Sequence, residues 1–144
     1  MRFQTYLTTG DVKQVAIDKN LAKSLAQLAQ LRIEKLLLVD LDKENAFEII
    51  ERCYNALKEL TDSLMAIKGH KSYSHEAAIE FLREFYLKDI GAGKIEQIDR
   101  YRILRNDIFY RGKTTTRAEA ELAIKDLQAI STALIALLKK GSVI

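Results

Sequence analysis

The chain of 144 residues has no proline, one cysteine and two histidines. With proline absent, only glycine is left to break helices, and the six glycines stand at positions 10, 69, 91, 93, 112 and 141. A single cysteine, Cys53, cannot close an internal disulfide, and the start Met1-Arg2-Phe3-Gln4-Thr5-Tyr6 has no apolar signal region. Both point to a reduced, cytoplasmic protein. Cys53 falls within a helical apolar pattern, so it reads as a small buried hydrophobe and not as a nucleophile. The longest greasy stretch, Leu36 to Val39, is far short of the roughly 18 residues of a membrane span, so no membrane partner is expected. His70 and His75 have no companions at metal-ligand or triad spacing and read as surface or capping residues. There is no Glu-x-x-His pair of the di-iron kind, so neither a metal nor another cofactor is expected. Strand signals, repeats and low-complexity tracts are also lacking.

What is present is a composition of 48% apolar and 30% charged residues, enough for one domain with its own core. Residues 1–10 read as a polar and aromatic lead-in, and 11–141 as a single helical domain. Asp11 is placed to cap a first long helix to about Leu38, with an apolar stripe of Val12, Val15, Ala16, Ala22, Leu25, Ala26, Ala29, Ile33 and Leu36. A second helix, about Lys43 to Lys68, alternates spacings of four and three through Ala46, Ile50, Cys53, Leu57, Leu60, Leu64 and Ile67, a seam for antiparallel packing. Ser74 caps a shorter third helix whose buried face is Ala77, Ala78, Phe81, Leu82 and Phe85. Gly91-Ala92-Gly93 breaks the chain before a fourth helix, about Lys94 to Arg111, which stops at Gly112. Thr116 and Glu119 form a capping box for a last helix ending in Lys139, Lys140 and Gly141. The expected fold is therefore all-α: four long helices and one shorter.

Charge is unevenly spread. The net charge is +3, yet residues 94–117 hold seven Lys or Arg against three acids, which points to an anionic partner such as nucleotide or nucleic acid. Helical spacing places Ile98, Tyr101, Leu104, Ile108 and Phe109 on one arc with Arg105 near its middle, the wrong face for a solvated charge. Arg102, Asn106 and Tyr110 border that arc, while Asp107 and Arg111 point to water. The same spacing fits a bland alternative in which Arg105 snorkels or pairs with a core acid, Asn106 ties helix to loop and Tyr110 is an ordinary edge residue.

The run Arg105-Asn106-Asp107-Ile108-Phe109-Tyr110-Arg111-Gly112, after Tyr101 and Leu104 and before Thr116-x-x-Glu119 and a long apolar helix, resembles the HEPN family. The likeness reaches upstream to Ser74-His75-Glu76-Ala77-Ala78-Ile79-Glu80-Phe81-Leu82 and covers most of residues 12–140. It implies a five-helix up-and-down bundle that forms a homodimer. It also implies metal-independent endoribonuclease activity or an RNA- or nucleotide-binding role, often as the partner of a minimal nucleotidyltransferase in a toxin-antitoxin pair. The family signature is an arginine, commonly a polar residue after it, then a histidine four to six positions on. Arg105 and Asn106 match the first two, and Tyr110 stands at the four-residue gap where a histidine is expected. A phenol, with a pKa of about 10, is a poor base at neutral pH but can donate a hydrogen bond or act as an acid. The resemblance thus implies Arg105, Asn106 and Tyr110 as catalytic residues, with Arg102, Arg105, Arg111 and Lys113 contacting the nucleic acid or nucleotide. The competing reading, from another class, is a non-enzymatic dimerisation or interaction module whose fourth helix is an interface.

Overall fold

The computed structural model describes residues 2–144, and among these the chain forms six helices and one two-stranded sheet. In order they are α1 (Phe3–Thr9), β1 (Val12–Gln14), α2 (Lys19–Leu37), α3 (Ala46–Ile67), β2 (His70–Ser72), α4 (His75–Ile90), α5 (Ala92–Arg111) and α6 (Arg117–Lys140). None of the helices is long and apolar enough to cross a membrane.

The helix α3 is the centre of the fold: it packs against α2, α4, α5, α6 and β2. Its four-and-three spacing turns one side wholly inward, so that Ile50, Cys53, Leu57, Leu60 and Leu64 are all buried. Against it α2 lays a seam of small residues, Ala22, Ala26 and Ala29, continued by Ile33 and Leu36. Small side chains let the two backbones approach closely, and Ser63 Oγ donates across the gap to the Ala22 carbonyl at 2.6 Å. Ala120, Ala123, Leu127, Ile130, Leu134 and Leu138 of α6 complete the core, and the Thr116–Glu119 capping box that opens this helix is formed in both directions.

Two expectations fail at the N-terminal end. Residues Phe3–Thr9, read as lead-in, form α1, with Phe3 and Tyr6 in the core cluster. The first long helix does not start at Asp11. Instead Val12 pairs with Ser72 and Gln14 with His70 in an antiparallel ribbon, and the cap is Asp18, whose carboxylate accepts from Leu21 N at 2.9 Å. Of the stripe expected there, only Val12 is buried, while Val15 and Ala16 are exposed. The ribbon wins because the end of α3 offers its backbone partners: Val15 N donates to Gly69 O at 2.8 Å and Asp18 N to Ala66 O at 3.1 Å. The expectation of a chain without strands is corrected accordingly.

Gly69 makes this junction fit. It sits at φ +73°, and a Cβ there would lie 2.7 Å from the Val15 carbonyl oxygen. Gly69→Ala is therefore expected to destabilise the fold by about 1–3 kcal/mol, read as a lower urea midpoint at unchanged denaturant slope.

Candidate functional site

The fourth expected helix is α5, and it stops where expected, with Gly112 at φ +64° and its N–H returned to the Asp107 and Ile108 carbonyls. Its buried side is narrower than the sequence implies. Ile95 and Ile98 are buried near its start, Tyr101 and Leu104 are half-buried, and Ile108 alone is buried in the last two turns. Phe109, placed by periodicity on the inner arc, is instead 63% exposed. Spacing defines a face, but at this end of the helix Ile108 is the one residue of that face that is covered.

The candidate cations separate by environment. Arg102 lies deep, its side chain 12% exposed, with Nε on Asp99 Oδ1 at 2.7 Å and Nη1 3.6 Å from Glu76 Oε1. Glu76 also accepts from the Tyr6 hydroxyl at 3.2 Å, so this guanidinium is held inside a network joining α1, α4 and α5. Its charge is already matched by these two carboxylates, Asp99 and Glu76. Arg105 differs. It is half-buried, its Nη1 reaches only the Asn106 amide oxygen at 3.4 Å, and its guanidinium lies 5.4 Å from the Phe109 ring centre. Among the described residues no carboxylate comes within ion-pair distance of it. Arg111 is 82% exposed and only 3.9 Å from Asp107 Oδ1, and Lys113 is exposed. Tyr110 is also exposed and meets Phe109 edge-on at 4.9 Å, so the position expected for a histidine faces water.

A histidine does stand in this corner, brought by another helix. His75 opens α4, and its Nδ1 is 2.8 Å from the hydroxyl of Tyr54 on α3, with the two rings stacked at 5.7 Å. Tyr54 is buried, which holds its phenol protonated, while the charges of Arg102 and Arg105 pull the other way. Burial lowers the His75 pKa from its ordinary value, and Lys58, Arg105 and Arg102 push in the same direction against Asp62. The shift favours the neutral imidazole. The Tyr54 hydroxyl can donate to Nδ1 or accept from it, so the ring can present either an N–H or a lone pair at Nε2. The surface reading of this residue holds, since His75 is exposed, but spacing does not show its hydrogen bond to Tyr54, which lies on another helix. The other histidine, His70, packs among Phe3, Phe81 and Phe85, and burial followed by the Lys68 charge lowers its pKa. Cys53 is a core residue as expected, its thiol pushed up to about 12 by burial.

The lowered histidines link stability to pH. Their folded pKa values lie below the unfolded value of about 6.5, so on acidification the unfolded chain takes up protons first. Their contribution is intact above that value and is lost as pH falls through it towards the folded values. The urea midpoint should be lower at pH 5 than at pH 7.5, and the difference should shrink in His75→Gln.

No family model, curated protein or solved structure matches this chain. Its chemistry must be read from the corner itself, where a half-buried guanidinium without a carboxylate and a neutral imidazole backed by a phenol can receive an anion and hold a proton.

Proposed function

We propose that the chain is a HEPN-like nucleotide- or RNA-binding protein that receives a backbone phosphate at Arg105. One observation carries the reading: a half-buried arginine with no carboxylate partner, where a desolvated cation without a counter-charge is costly and an anionic ligand would relieve that cost. Arg111 and Lys113 would extend the positive edge, Asn106 would orient the phosphate, and Arg102 would hold the helices in register. In this reading the proton acceptor is His75 and not Tyr110. The activity such a corner would supply is metal-independent RNA cleavage. The ribose 2′-oxygen attacks phosphorus and gives its proton to His75 Nε2, the bond to the 5′-oxygen breaks, and that oxygen takes a proton from water, leaving a 2′,3′-cyclic phosphate.

The test is binding and cleavage of single-stranded RNA in EDTA by wild type, Arg105→Ala and His75→Ala. Salt-sensitive binding that Arg105→Ala loses supports the reading, and cutting that His75→Ala abolishes while its binding survives supports the catalytic part. Absence of both binding and cutting in the wild type defeats it.

The interaction-module reading keeps one supporting observation. The outer side of α2 exposes Leu21, Leu28 and Leu31 beside Val15 and Ile17, an apolar strip of the kind that partner surfaces cover. A homodimer through this strip is compatible with either function. Sedimentation of Leu28→Asp against wild type decides it: dissociation supports the interface, and an unchanged monomer contradicts it.

A further inference from the structure

Beyond the phosphate corner, the C-terminal end of α5 holds two exposed aromatic rings that the fold does not use, and the start of α3 a third. Phe109 is 63% exposed, Tyr110 73%, and Phe47, at the start of α3, 41%. Phe47 and Phe109 line one open groove of about 660 Å³, together with Ile108, Lys113 and Thr114. Large rings left in water forgo the burial energy that a core position would give them. Here they are interleaved with cations: Arg105 lies against the Phe109 ring, Arg111 follows Tyr110, and Lys113 lines the groove. Phe109 and Tyr110 meet at 76°, so their planes face different directions.

We propose that Phe109 and Tyr110, with Phe47 across the groove, form a stacking platform for the bases of single-stranded nucleic acid whose phosphates lie on Arg105 and Lys113. The proposal rests on the phosphate-binding reading and narrows its ligand to unpaired strands. Aromatic rings alternating with cations match a chain of flat bases joined by anionic phosphates, and a base offers its face to a side chain only when it is not paired and stacked within a duplex. The charges favour this occupant over a second copy of the chain. Glu51 and Lys113 both line the groove and Asp107 is shared with Arg111, while Arg105, beside Phe109, has no carboxylate partner among the described residues and is left for a negatively charged ligand.

Two variants test it. The chain has no tryptophan, so Tyr110→Trp places a lone indole on the platform. Its fluorescence should be quenched by a single-stranded RNA oligonucleotide and left unchanged by a duplex of the same sequence. The double variant Phe109→Ala/Tyr110→Ala changes only exposed rings, and its melting curve should match wild type. It should bind the single strand about tenfold or more weakly while duplex binding is unaffected. An unquenched indole, or equal affinity of the double variant for the single strand, overturns the platform. If Arg105→Ala weakens binding while the double variant does not, the phosphate reading stands and the platform falls. If the wild type binds no RNA, both fall. If the double variant instead breaks up a dimer with RNA affinity intact, the rings belong to a protein interface and the proposal is overturned.

Discussion

Truncating Leu60 to alanine should cost about 2–5 kcal/mol, the range for removing a large aliphatic side chain from a close-packed core. Leu60 has no exposed surface and lies midway along α3, the helix against which α2, α4, α5 and α6 all pack. In a close-packed core the surroundings relax only partly into the space left, so a cavity persists. For a domain of this size the thermal midpoint should fall by roughly 5–15 °C. Leu31→Ala on α2, where the side chain is 57% exposed, should change stability by less than about 0.5 kcal/mol. Urea titrations followed by circular dichroism compare the two directly, and similar losses would mean that α3 is not the centre of the core.

The largest functional effect is expected at Arg105. Its removal should weaken RNA binding by about ten- to a hundredfold, the value of a charge-assisted hydrogen bond to phosphate in a partly desolvated place. Arg111→Ala should cost far less, because that side chain is in water and salt screens it. Arg105→Lys should recover only part of the loss, since an ammonium lacks the planar fork and stacks less well on Phe109. Arg102→Ala should behave differently again. It would leave Glu76 and Asp99 without their cation and lower stability, and through that any activity, without the selective loss of affinity expected at Arg105. Affinities measured by fluorescence anisotropy at two salt concentrations, with melting curves for each variant, separate the three behaviours.

The sequence is most legible where structure is local. The α3 seam, the Ser74 cap, the stop at Gly112 and the Thr116–Glu119 box each depend on residues within a turn or two, and each lies where spacing places it. Residues 12–14 were not legible because their partners lie at 70–72, and a three-residue strand is too short to show a period. The first seven-residue helix escaped for the same reason of length. At the site, spacing found Arg105 and its unusual place on α5. It could not find that Glu76, from another helix, neutralises Arg102, or that His75 comes to the same corner beside Tyr54. Phe109 was misplaced because a periodic face is only potentially buried: a partner must cover it, and Phe109 is left exposed.

The proposed anion site at the meeting of α3, α4 and α5 can be mapped by titrating single-stranded RNA into isotope-labelled protein and following backbone amides, the His75 ring and the Arg105 guanidinium by NMR. Shifts should concentrate at Tyr54, His75, Arg105 and residues 106–113 and be reversed by added salt. Shifts confined to the outer side of α2, or none at all, would contradict the proposal.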